Sequence, residues 1–74
     1  MPQPQPACAD KRSLIEDVRL AMKTIIELNN REMEAVIAGE FGKLNAIEEE
    51  LAEARQWKYS VIDSYHKHVR EHGC

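Results

Sequence analysis

The chain has 74 residues, 43% of them hydrophobic, and its 13 acidic and 10 basic residues give a formal net charge of −3. A chain of this length forms one small domain whose core alone provides about 3–5 kcal/mol, so we expect it to self-associate. The acidic balance argues against binding to nucleic acid, and no apolar run reaches the roughly 20 residues of a membrane span.

The first seven residues alternate proline with glutamine. Proline fixes φ and removes amide donors, so we expect residues 1–7 to be a disordered arm that precedes one hairpin domain, residues 8–74. The arm lacks the basic and apolar regions of a signal peptide, which predicts a cytoplasmic location. In that compartment the two cysteines are expected to be reduced thiols or metal ligands.

Helix 1 is predicted over about residues 10–38. Asp10 is a good N-cap, and Ser13 with Glu16 three residues later matches the capping box. Apolar residues then recur at every third or fourth position, which is typical of an amphipathic helix. Gly39 suits the left-handed position that follows the last helical residue, so it marks the end of this helix.

The apolar stripe of helix 1 is unusually wide. With Ile15 at heptad position a, position d holds Val18 and Ile25. Position g is also apolar throughout and holds Leu14, Ala21, Leu28 and Ala35. A stripe that covers three heptad positions is too wide for a single partner helix.

A turn is predicted at residues 39–42, which contain two of the three glycines, and helix 2 over about residues 43–72. Three glutamates near the start of helix 2, and basic residues near its end, match the helix dipole. Its apolar and polar residues follow one heptad register. The sequence therefore predicts an all-α fold, an antiparallel hairpin of two long helices.

A lone hairpin covers one row of apolar side chains and leaves the flanks of both helices in water. A second copy would cover the flanks, so we expect a homodimer that forms an antiparallel four-helix bundle. A higher oligomer, or a complex with another helical protein, is the alternative. The predicted interface residues are Ile26, Met33, Trp57, Ile62 and Val69.

Polar residues interrupt the predicted contact between the two helices. Asn29, Glu32 and Lys58 occupy core-like positions, and Arg55 lies beside them. If the chain folds back about Phe41, Glu32 and Lys58 lie roughly 12 Å apart, too far for direct contact. We interpret these residues as setting register and oligomeric state, with the Lys58 ammonium reaching water. The alternative is a polar site inside the bundle.

Cys8 and Cys74 each lie 33 residues from Phe41, so the same fold brings both to the open end of the hairpin. His68 and His72 lie there on one helical face. Imidazole and thiolate are the donors that zinc prefers, which predicts a zinc site of Cys8, His68, His72 and Cys74. A Cys8–Cys74 disulfide in an oxidising setting, and purely structural histidines near the helix end, are the alternatives.

No glycine-rich phosphate loop, nucleophile elbow or catalytic Cys-His context is present, so we expect no enzymatic activity and no cofactor other than zinc. The expected function is that of a helical interaction module that self-associates and binds a protein partner, with neither nucleic acid nor membrane as a partner. The alternative is a zinc-binding or thiol-redox-responsive bundle that uses the cluster at the open end.

Overall fold

The computed structural model describes residues 6–72, and the side chains of residues 11–71. Two helices, α1 (Pro6–Ala38) and α2 (Phe41–His72), make up nearly all of this part. They pack against each other as a hairpin, and the described residues contain no strand. The predicted all-helical fold with two paired helices is therefore confirmed.

Helix α1 begins at Pro6, four residues before the predicted start near residue 10. Pro6 and Ala7 therefore belong to the helix and not to the expected arm, of which residues 1–5 lie outside the described residues. Proline is favoured in the first helical turn because its φ is already helical and its missing N–H costs no hydrogen bond there. Asp10 and Ser13 then lie inside the helix.

The turn spans two residues and not the four predicted. Gly39 has a φ of +71°, the left-handed conformation that only glycine adopts without strain. Its N–H donates to the carbonyl oxygen of Val36 at 3.1 Å, and the N–H of Glu40 donates to that of Ala35 at 2.9 Å. These two bonds form the Schellman motif, which closes the carboxyl end of α1.

Helix α2 begins at Phe41, two residues before the predicted start. The reason is that Glu40 already acts as the residue before the helix, because its carbonyl oxygen accepts the N–H of Lys43 at 3.1 Å. The Lys43 ammonium also pairs with the Glu40 carboxylate. One short segment therefore ends α1 and starts α2.

The buried core is small and follows the contact between the helices. On α1 the buried residues recur every seven positions, and on α2 every three or four. They are Ala21, Leu28, Ala35, Ile47, Leu51 and Ala54. The α1 members occupy position g of the heptad numbering that starts at Ile15, so this position faces α2 and position a lies beside the contact.

The register of the hairpin follows from contacts across the helices. Arg31 Nη1 lies 3.9 Å from Glu50 Oε2, an exposed pair that contributes little to stability but marks level residues. Residues whose numbers add up to about 81 thus lie side by side. This register differs by one residue from the predicted fold about Phe41.

Replacing Gly39 with alanine is expected to lower the free energy of unfolding by about 1–2 kcal/mol, because a Cβ is strained at positive φ. No heavy atom lies within 4 Å of the added Cβ, so the cost is purely conformational. Gly42→Ala is the matched control. Gly42 lies inside α2 with equally open surroundings, so alanine should raise stability by about 0.5–1 kcal/mol. Urea unfolding measures both, and equal effects of the two variants would contradict the turn geometry.

Leu51→Ala is expected to lower the free energy of unfolding by about 2–4 kcal/mol, because Leu51 is only 3% exposed and its loss leaves a cavity. Leu20→Ala, at a site 51% exposed on α1, should change it by less than about 0.5 kcal/mol. Urea titrations at one protein concentration compare the two, and a Leu51 variant as stable as the Leu20 variant would place the core elsewhere.

Candidate functional site

The hairpin is a flat slab with two broad faces. The principal extents of its Cα atoms are 60 × 19 × 11 Å, two helices wide and one helix deep. Such a shape presents broad open surfaces and is too thin to enclose a ligand chamber of the usual size. The two faces differ in chemistry.

One face, called the groove face below, carries shallow open grooves between the helices. Thr24, Glu27 and Arg31 of α1 line the central groove together with Glu53 and Trp57 of α2. A second groove continues toward the turn, past Glu34, Ala38, Lys43 and Ala46. Charged side chains therefore border most of this face, and Trp57 is its large aromatic residue.

The other face, called the apolar face, is dominated by one side of α1. At 100° per residue, Ile26 and Met33 lie on the side of α1 away from the groove face, and they are 60% and 61% exposed. The row continues along most of the helix with partly exposed apolar side chains. Its members are Ile15, Met22, Ile26, Met33 and Val36, with Ile37 at the outer edge.

Helix α2 contributes the neighbouring edge of the apolar face. Ile62 and Val69 are half-buried, and Tyr59 is exposed. The Lys58 ammonium lies 4.6 Å from the centroid of the Tyr59 ring, a cation–π contact that holds the charge at the surface. Both helices therefore contribute apolar side chains to this face in the half toward the open end.

The predicted interface residues do not all share one face. Ile26 and Met33 lie on the apolar face with Ile62 and Val69, whereas Trp57, 40% exposed, lines the central groove on the opposite side. Trp57 precedes Ile62 by five residues, which places the two about 140° apart around α2. The structure therefore separates Trp57 from the other four.

Several residues of the apolar face were missed in the sequence. Ile15, Met22 and Val36 occupy heptad position a, which the pattern alone assigns to the contact with α2. Tyr59 follows the half-buried Lys58 and carries no periodic signal of its own. The only signal for them in the sequence was the excess width of the apolar stripe on α1. That width indicates a second contact but does not show which row of α1 makes it.

The polar residues that were predicted to lie between the helices are found at the edges of the contact between α1 and α2. Asn29 and Arg55 are exposed, and Glu32 and Lys58 are half-buried. Among residues 11–71 no polar or charged residue is buried, and no buried side-chain nitrogen or oxygen lacks a hydrogen-bond partner. A polar site enclosed within the single hairpin therefore has no support in the described side chains.

The cluster at the open end lies mostly outside the described side chains. Cys8 and His72 are in helices, but their side chains, and Cys74 altogether, are not described. His68 is half-buried on α2, and the rings of Tyr65 and His66 lie 5.9 Å apart. Within the described part of the chain no three histidine, cysteine, aspartate or glutamate residues are grouped to hold a metal ion. The zinc and disulfide hypotheses stay predictions.

Neither helix, over its described residues, has an apolar stretch long enough to cross a membrane. Comparison with family models, with curated proteins and with solved structures finds no match to this chain. Function is therefore inferred from the two faces of the hairpin.

The zinc hypothesis predicts that each reduced chain binds one Zn²⁺ at micromolar concentration and that binding protects both cysteines from thiol reagents. His68→Ala should abolish uptake, because it removes one of four ligands. His66→Ala, two residues away on the exposed side of α2, is the matched control and should bind normally. Titration with zinc and a thiol count provide the measurement, and no uptake by the parent chain contradicts the hypothesis.

Proposed function

We propose that this chain is a non-enzymatic helical interaction module that acts by self-association. Two hairpins stack through their apolar faces into an antiparallel four-helix bundle, and the outer surface of the bundle binds a protein partner. The observation that carries the proposal is the row of exposed apolar side chains on α1, which runs beside, and not within, the contact with α2.

The small core of the single hairpin supports this proposal. Among the side chains of residues 11–71, three of the six buried residues are alanines, and no large side chain is fully buried. Small domains gain little from such a core, so burial of further apolar surface by a partner is the expected source of stability. Stacking of two hairpins would convert the apolar face into the centre of a larger core.

The dimensions also suit a dimer. A face of 60 × 19 Å exceeds the roughly 800 Å² that each partner buries in a typical stable complex. Complete burial of a side chain such as isoleucine or methionine provides about 1.5–3 kcal/mol relative to full exposure. Ile26 and Met33 retain more than half of their exposure, so each still has a large part of that energy to contribute.

The groove face supports the second part of the proposal. When two apolar faces meet, the groove faces lie on the two outer sides of the bundle. Each presents Trp57 beside Glu27, Glu53 and the Arg31–Glu50 pair. Tryptophan ringed by polar residues is typical of protein-binding surfaces, so a partner protein is proposed to bind there.

Sedimentation equilibrium should give twice the chain mass of 8.5 kDa. Ile26→Glu and Met33→Glu should each weaken the dimer at least a hundredfold, because two carboxylates enter an apolar contact. Leu20→Glu is the control, since Leu20 is similarly exposed but lies on another side of α1, and its dimer should keep the parent affinity.

Trp57→Ala separates the two faces of the hairpin. Because Trp57 lines the central groove, its loss should leave the dimer mass unchanged, with less than about a threefold change in affinity. A parent chain that stays monomeric at all concentrations, with and without reductant, contradicts the proposed function. A dimer broken by Trp57→Ala but not by Met33→Glu would assign the contact to the groove face.

A further inference from the structure

We propose that the two hairpins stack with their long axes reversed, so that α1 lies antiparallel on α1 of a second copy and the turn end of each covers the open end of the other. The two-fold axis crosses the apolar face near Ile26. This inference rests on the proposed self-association and adds its orientation, which the apolar face alone does not determine.

The first support is a strong charge asymmetry along the hairpin. In the register described above, Ile26 of α1 is level with Arg55 of α2, which divides the chain into a turn half and an open half. The turn half, residues 27–53, has eight acidic and two basic residues and a net charge of −6. The open half has five acidic and eight basic residues and a net charge of +3.

Only two arrangements stack one apolar face on another through a two-fold axis. If the axis runs along the helices, both turn ends lie together and a net charge of −6 covers another of −6. If the axis crosses the helices, each turn half of −6 covers an open half of +3, twice in the dimer. Complementary charge favours the crossing axis, which reverses the second hairpin.

The second support is the spacing of the apolar row on α1. Ile15 and Ile37 each lie eleven residues from Ile26, in opposite directions. A reversed second copy therefore places Ile15 level with Ile37 of its partner and Ile26 against its own counterpart, a self-complementary contact of the kind that two-fold symmetry requires. The same axis places the Arg55 side chains, which are exposed in the single hairpin, near each other.

Sedimentation equilibrium of the parent chain establishes first that the dimer forms. If the chain dimerises but the two turns lie at the same end of the dimer, the reversed orientation is wrong although self-association stands. A parent chain that is monomeric refutes the self-association and, with it, the orientation. The two failures are therefore distinguishable.

A distance measurement tests the orientation without altering the apolar face. Spin labels on Glu40→Cys, in a chain with Cys8→Ser and Cys74→Ser, report the separation of the two turns by pulsed electron resonance. Reversed hairpins place the turns about 40 Å apart along the helices, at 1.5 Å per residue. Turns at the same end of the dimer would lie within about 25 Å, and that result would overturn the proposal.

Discussion

The pair of hydrogen bonds that closes α1 at Gly39 and Glu40 is the constraint on which the rest of the hairpin depends. The turn has only two residues, and Glu40 directly precedes α2, so the closed turn sets the position and rotation of α2 relative to α1. That fixed geometry places Leu28 and Ala35 against α2. It leaves Met22 and Met33, on the neighbouring rows, in water, so the core and the apolar face have a common origin.

The two helices, and the glycine that ends the first, could be predicted from the sequence because helical periodicity and a left-handed cap are local properties. The rotation of α1 about its own axis, which decides the row that faces α2, could not be predicted. Three adjacent rows of α1 are apolar, so hydrophobicity alone did not decide which of them meets α2. The sequence therefore identified Ile26 and Met33 as flanking residues but missed Met22. It also grouped Trp57 with them, although the hairpin places Trp57 on the opposite side.

The charge polarity of the hairpin arises from its side chains and not from its backbone. Antiparallel helices set their dipoles in opposite directions, so the turn end carries one positive and one negative helix terminus, which largely cancel. The acidic turn half and the basic open half remain. This distribution was present in the sequence, but its arrangement along one axis becomes visible only when the register places α1 beside α2.

The two-residue turn also limits how long the connection between α1 and α2 can be. Each residue added between Ala38 and Phe41 would rotate α2 by about 100° relative to α1 if the helices stayed regular. Such a rotation would exchange the sides on which Trp57 and Ile62 lie and would mix the two faces. A substitution at the turn alters stability, whereas an insertion changes which surface the molecule presents. A related chain must therefore keep two residues in the turn to retain both faces. Apart from Gly39, the identity of the turn residues matters less than their number.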